Sequence, residues 1–231
     1  MTDANTTRFN AEALSWDSNP DVQQATALAH KAYLSHLPAA ATLATYSVLE
    51  LGCGTGLLSL ALAPSVRSLT AVDAAPGMIA ALESKLATNP DAPKNVHPIA
   101  VLLESPDDPV LNGQRFDLAV SHLVLHHIPD LPAVFRTLHG CLVPGGKVMV
   151  TDFENFGPEA RRFHPESKMD GVERHGIERG EIRKVLEEAG FKEVKVETAF
   201  EMEKRVETEP GNGVFEGRMV FPFLICEGTK V

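Results

Sequence analysis

Residues 48–56 read Val48-Leu49-Glu50-Leu51-Gly52-Cys53-Gly54-Thr55-Gly56, an apolar run that ends in an acid and enters a turn with glycine at alternate positions. A short apolar run of this kind suits a strand buried on both faces of a parallel sheet. Alternate glycines let the backbone turn sharply and let a ligand approach where a Cβ would clash. The following Leu57-Leu58-Ser59-Leu60-Ala61-Leu62-Ala63 begins a helix that Pro64 stops. Strand, glycine turn and helix together make the front half of a nucleotide-binding βαβ unit.

The rest of the chain has room to complete such a unit. Its 231 residues suffice for one large α/β domain, and 44% hydrophobic with 23% charged residues is ordinary for a globular protein. A formal charge of −10 disfavours broad electrostatic capture of nucleic acid or an anionic membrane. Cys53, Cys141 and Cys226 are scattered and odd in number, which suits a reducing, cytoplasmic setting more than a disulfide framework. No cysteine sits in an array with metal-ligand spacing, so no metal is expected. No basic-then-apolar leader or long apolar span is visible, so neither secretion nor membrane insertion is expected.

Strand and helix patterns then alternate. Residues 1–20 are polar, with Phe9 and Trp16 as isolated aromatic anchors, and helical spacing predicts a helix over 22–37. Strands are expected at 46–51, 68–73, 97–103, 116–121 and 147–152, with helices at 56–63, 76–88 and 130–142 between them. A polar stretch, 153–178, has no clear period. A helix follows near 179–189, with Gly190 at its C-terminal cap, and strands at 193–200 and 218–226 form an antiparallel hairpin. Pro222 is awkward within a central strand and predicts late pairing or a bulge. The pattern gives an α/β fold, a doubly wound and mainly parallel sheet with helices on both faces.

A dinucleotide fingerprint would place its third glycine at position 57, which is Leu57; the glycine stands at 56 instead. That counts against a nicotinamide-dependent oxidoreductase. Asp73 ends the next strand at the spacing where an acid accepts both hydroxyls of a ribose, the alternative being a cap on the following helix.

With these residues in view, the chain resembles the class I S-adenosylmethionine-dependent methyltransferases, small-molecule type, similar to the ubiquinone/menaquinone methyltransferase branch. Val48–Gly56 looks like the first motif of that family, and Ala71-Val72-Asp73-Ala74-Ala75-Pro76-Gly77-Met78 like the second. Phe116-Asp117-Leu118-Ala119-Val120-Ser121-His122-Leu123-Val124-Leu125-His126-His127-Ile128 resembles the fourth-strand motif, and Leu142-Val143-Pro144-Gly145-Gly146-Lys147-Val148 the turn before the fifth strand. The four motifs stand in the family's order over roughly 46–152.

The resemblance implies a seven-stranded sheet with an antiparallel last strand, S-adenosylmethionine as cofactor and a small-molecule methyl acceptor. It implies one domain over 1–231: a helical lid (1–40), a cofactor-binding core (41–152), a substrate-covering segment (153–178) and a closing helix with its hairpin (179–231). Backbone around Gly52, Cys53 and Gly54 would approach the methionine part of the cofactor, with Glu50 orienting it and Ser121 facing it. Asp73 would hold the ribose, with Ala74 and Met78 flanking the adenine and Leu103 or Glu104 at its edge. The aspartate common at that edge is absent here, as is the hydroxyl that often caps the second helix, where this chain has Ala75. Trp16-Asp17 would belong to the lid, although a lone Trp also serves as a packing anchor.

Methyl transfer needs a base only where the acceptor must lose a proton, and histidine titrates in the useful range. His126, His127 and His175 are the candidate catalytic groups, with His122 and His164 also near the end of the fourth strand or in the polar segment. For His126 and His127 a structural or gating role competes, because relatives carry a similar turn whatever their acceptor. For His175 the competing reading is an ordinary loop histidine. Cys53 reads as a small side chain in a glycine turn rather than a reactive thiol, and Arg161-Arg162 as solvated charge rather than an anion site. A methyltransferase-like partner subunit without catalysis is the rival from a different functional class.

Overall fold

Seven strands form one mixed sheet in the order β3-β2-β1-β4-β5-β7-β6. They are β1 (Ser47–Leu51), β2 (Ser68–Asp73), β3 (Val96–Ala100), β4 (Phe116–His122), β5 (Leu142–Phe153), β6 (Lys192–Val206) and β7 (Gly217–Thr229). The structure is a computed structural model and describes residues 3–231, so the first two residues of the expected 1–40 segment lie outside the described residues. β1 pairs in parallel with β2 and β4, and the parallel ladder extends to β3 and β5. β7 runs antiparallel between β5 and β6. The expected seven strands, mainly parallel with an antiparallel last strand, are observed.

The helices are α1 (Asp3–Trp16), α2 (Pro20–His36), α3 (Ala40–Leu43), α4 (Leu57–Leu62), α5 (Pro76–Thr88), α6 (Leu131–Cys141) and α7 (Arg179–Glu188). Local chemistry sets several of their ends. Asn19 accepts from Asp21 N ahead of Pro20, and Asp130 accepts from Ala133 N at the start of α6. Gly190 follows α7 with φ of +103°, the left-handed cap that the sequence suggests.

Alternation along the central strands divides the core. Leu49, Ala119, Val148 and Val150 face Phe135 and Leu138 of α6 and Ile182 and Leu186 of α7. Val48, Leu118, Val120 and Met149 face Ala29 and Tyr33 of α2, Leu58 and Leu62 of α4, and Leu82 of α5. Helices therefore cover both faces, and β1 and β4 meet where the strand order reverses. In open α/β sheets the crevice beyond the strand ends at that point is the natural ligand site.

Two departures from the sequence reading have physical causes. α1 buries only a narrow stripe, Asn5, Phe9 and Ala13, and one of these is polar, so residues 1–20 show no apolar period. The hairpin runs several residues beyond 193–200 and 218–226, because its outer part is a charge-rich ribbon without clean alternation. The bulge expected at Pro222 is observed, as a register shift between Thr198 and Phe200, while β5 ends its pairing at Phe153–Phe223. Among the described residues no helix is long and apolar enough to cross a membrane.

Candidate active site

The glycine turn hangs on β2. The Gly52 and Cys53 amides both donate to Val72 O, at 2.8 and 3.0 Å. Gly52 and Gly56 have φ of +70° and +81°, and an added Cβ would meet Val124 Cγ2 at 2.4 Å and Leu82 Cδ1 at 2.3 Å. Those two glycines are therefore demanded by packing and by backbone shape alike. Gly54 differs: a Cβ there would find only Trp16 Nε1, at 4.0 Å. Open space remains between the turn and Trp16.

That space belongs to a cavity of about 830 Å³ lined by residues of α1, the glycine turn, the end of β4, the 163–168 segment and β6. Two acids stand at its glycine end. Asp73 accepts from Gly54 N and from Ala75 N, each at 2.8 Å, and burial pushes its carboxyl up. Glu50 is fully buried and uses Oε2 to accept from Ser59 Oγ at 2.5 Å. Burial drives its carboxyl up to about 8, opposed by the Ser59 bond and reinforced by the charge on Asp73. A protonated acid facing a cavity is primed to ionise when a cation arrives.

α1 is fastened across this end. Gly77 N donates to Asn10 Oδ1 at 2.7 Å, which supplies the cap that Ala75 lacks. Asp17 accepts from Thr55 Oγ1 and from Lys85 Nζ, both at 2.5 Å, tying the end of α1 to the glycine turn and α5. Phe9, Ala13, Ala75 and Met78 form a small apolar cluster with Trp16 packed against it.

Histidines crowd the other end. Beyond β4 the chain turns through Leu123, whose φ of +56° is unusual for a residue with a branched side chain. His126 and His127 are buried, and the fold brings His164 beside them, with ring centroids 5.0 Å from His126 and 5.9 Å from His127. Asp152, fully buried at the end of β5, bonds His126 Nδ1 at 2.9 Å and accepts from His126 N at 3.1 Å. His127 Nδ1 lies 2.8 Å from Gly171 O. Burial, then repulsion from His126, takes His127 down to about 2, and burial likewise holds His164 well below its usual value. His122 falls to about 4 for the same first reason, its Nδ1 bonded to Thr151 Oγ1 at 2.8 Å. Thr151 in turn meets the Tyr33 hydroxyl, which donates to Ser121 O. These three depressed rings are neutral near pH 7 and offer lone pairs.

Of the residues singled out from sequence, Trp16, Glu50, Gly52, Cys53, Gly54, Asp73, Met78, His126 and His127 line this one cavity. Others do not. Ser121, expected to face the cofactor, is buried and its hydroxyl donates to Leu51 O at 2.8 Å, joining β4 to β1. Leu103 lies in the apolar layer beneath α6, and the Glu104 carbonyl is held by Thr137 Oγ1 while its side chain is exposed. Ala74 stands outside the lining, half-buried. His175 is also outside it, with Arg161 and Glu166 as its charged surroundings. Cys53 is buried and its thiol pushed well up, as a packing residue requires.

Sequence reasoning missed Asp152 and Arg8; Asp17 was expected only as part of the lid, without its bonds to Thr55 and Lys85. Asp152 carried a usable signal, an acid closing an apolar strand, the same one that marks Asp73. Arg8 carried none, because only the docking of α1 brings it to the cavity.

The family described as "Methyltransferase domain" matches residues 22–196. The chain belongs to that family. An uncharacterised methyltransferase from Mycobacterium tuberculosis is 33% identical over 121 residues, which is 52% of this chain and 57% of that protein. A ubiquinone biosynthesis O-methyltransferase from Methylobacterium nodulans is 31% identical over 100 residues, 43% of this chain and 38% of that protein. The chain thus spans about half, or less, of the length of these methyltransferase relatives. Among solved structures, the N-methyltransferase NodS from Bradyrhizobium japonicum in complex with S-adenosyl-L-homocysteine shares the fold. Its TM-score is 0.63 at 17% identity, covering 99% of each chain.

Proposed function

We propose that this methyltransferase-family chain transfers a methyl group from S-adenosylmethionine to an O, N or C nucleophile of a small molecule. One observation carries the reading: the glycine turn with Glu50 and Asp73 shares a single cavity with a cluster of histidines. The donor set fits the cofactor at the glycine end. Asp73 has carboxylate lone pairs to spare for ribose hydroxyls, Glu50 suits an ammonium, and Gly54 leaves the space that a Cβ would fill. The fold's likeness to NodS, crystallised with S-adenosyl-L-homocysteine, supports the same choice.

When bound, S-adenosylmethionine supplies a methyl group on a positive sulfur, electrophilic without help from an acid. The chain's own work is then alignment and exclusion of water, which can contribute several kcal/mol to the barrier. α1 and the 163–168 segment wall the cavity against solvent. His126 is the group built to receive a proton: Asp152 fixes Nδ1 as the protonated nitrogen, which leaves the lone pair on Nε2. His127 and His164 can accept hydrogen bonds from the acceptor beside it.

The test is a methyl-transfer screen with labelled cofactor over phenols, carboxylates, amines, thiols and quinols, run with calorimetry of S-adenosylhomocysteine. Cofactor binding with label on one acceptor class is expected. Binding without transfer across the whole panel would point to a non-catalytic partner subunit. Tight nicotinamide dinucleotide binding without S-adenosylhomocysteine affinity would overturn the reading.

A further inference from the structure

His126, His127 and His164 present one ligand atom each within 4.8 Å of one another, and all three line the same cavity. The orientation of the first two is fixed from behind. Asp152 is an acceptor at 2.9 Å from His126 Nδ1, and Gly171 O is an acceptor at 2.8 Å from His127 Nδ1. Each Nδ1 therefore carries its proton, and each Nε2 carries a free pair. His164 adds a buried Nδ1 with no hydrogen-bond partner. A carboxylate and a carbonyl behind two imidazoles, with one nitrogen of each of the three rings within 4.8 Å of the others, is the arrangement that supports metal-bound histidines.

We propose that these three imidazoles form a mononuclear site for a divalent cation of the zinc and cobalt type, its fourth position open to the cavity. All-nitrogen donors suit these ions and not magnesium or calcium, which take oxygen. Three protein ligands with one open position is the arrangement of a reactive centre rather than a structural one. Tetrahedral bonds of about 2.0–2.1 Å set neighbouring nitrogens about 3.3–3.4 Å apart, so the donors must draw inward by up to about 1.5 Å. His164, on an irregular segment between two short helical turns, is the member with freedom to move.

The surroundings are mixed. Asp152 contributes a negative charge directly behind His126. Arg8 opposes: its Nη2 stands 3.5 Å from His127 Nε2, against the lone pair the metal would use. Lys204, whose charge also acts on His164, is paired with Asp21 at 3.2 Å. Arg8 is thus a competitor for the site, and its removal should favour the ion. Metal occupancy and proton acceptance by His126 use the same lone pair and are alternatives. With the ion present, an acceptor hydroxyl at the open position would lose its proton to solvent because the cation lowers its pKa. That consequence rests on the methyl-transfer reading; uptake of the ion does not.

The experiment titrates untagged, chelator-treated protein with Co²⁺ and then Zn²⁺, reading visible absorption and calorimetry without any methyl transfer. One ion per chain is expected, with the visible bands of a four-coordinate cobalt site that Zn²⁺ erases. His127→Ala and His164→Ala should each weaken binding by at least about 100-fold, while His97→Ala, exposed on β3, leaves it unchanged. Arg8→Gln should tighten it. Circular dichroism establishes that the variants fold. Absence of cobalt bands in folded wild-type protein overturns the proposal, as does binding that persists in the folded His127→Ala/His164→Ala double variant. Arg8-dependent binding of inorganic phosphate in place of Co²⁺ would identify an anion pocket and overturn it equally.

Discussion

His126 Nδ1 lies 2.9 Å from Asp152 Oδ1, with both side chains buried and the same carboxylate also accepting from the His126 and Phe153 amides. Asp152 therefore acts through His126, as a positioning residue that selects its tautomer. Asp152→Ala leaves two buried amides without an acceptor and should cost about 2–4 kcal/mol of stability. Asp152→Asn keeps one oxygen, so most stability should survive while the tautomer is no longer enforced. Turnover of the asparagine variant should fall at least about tenfold with KM for the acceptor little changed. Chemical denaturation and steady-state kinetics together check this, and equal losses in KM and stability alone would assign Asp152 a structural role.

On the proposed reading, Glu50 makes cofactor affinity depend on pH in a defined direction. Its carboxyl sits at about 8 without ligand, so it is largely protonated at pH 6. An arriving ammonium favours the ionised form, and binding then releases a proton. Affinity for S-adenosylhomocysteine should rise from pH 6 toward pH 8, and Glu50→Gln should flatten that rise. Stability moves the opposite way. The folded pKa lies above the unfolded one, so the native state holds the extra proton between about 4.5 and 8 and loses stability as pH climbs through that window. The wild type should lose up to a few kcal/mol relative to Glu50→Gln across it. Calorimetry in buffers of different ionisation enthalpy detects the released proton, and a pH-independent affinity refutes the assignment.

Asp73 has two duties that substitution can separate. It holds the Gly54 and Ala75 amides and, on the proposed reading, the ribose. Asp73→Ala should weaken S-adenosylhomocysteine by at least about tenfold, the worth of one charged hydrogen bond. Asp73→Asn keeps an acceptor for one amide and should retain more stability while still losing affinity. Unchanged affinity in folded Asp73→Ala would remove the ribose role.

The glycine end of the cavity was legible because its residues are neighbours in sequence. Gly52, Gly54 and Asp73 announce themselves by spacing, and an acid closing an apolar strand is a local signal. The histidine end was half legible. His126 and His127 stand together in the chain, but His164 joins them only through the irregular 158–168 segment, and linear metal-ligand spacing could not reveal the trio. Ser121 and Leu103 show the reverse failure. Each occupies a motif position, yet its side chain is taken by neighbours: Leu51 O for the hydroxyl, the apolar layer under α6 for the leucine. Direction depends on packing partners that no local pattern names.

Asn10 and Gly77 fasten α1 over the glycine end of the cavity, which on the proposed reading holds the cofactor. An alanine Cβ at Gly77 would stand 2.9 Å from Asn10 Oδ1, 3.1 Å from Asn10 Cα and 3.2 Å from its carbonyl oxygen. Two of those atoms are backbone, so relief requires α1 and α5 to separate by a few tenths of an ångström. Asn10→Ala removes the 2.7 Å bond without adding bulk. A lost hydrogen bond of about 1 kcal/mol corresponds to about fivefold in Kd where docking and binding are coupled. Gly77→Ala should weaken S-adenosylhomocysteine more than Asn10→Ala, chiefly by faster dissociation. Trp16 is the chain's single tryptophan and packs at this end, so its fluorescence reports the position of α1 directly. Emission should shift to the red in unliganded Gly77→Ala and move back on ligand addition. If emission and dissociation rate both match the wild type in Gly77→Ala, α1 does not control access to the cavity, and residues 1–40 serve the fold and not the ligand.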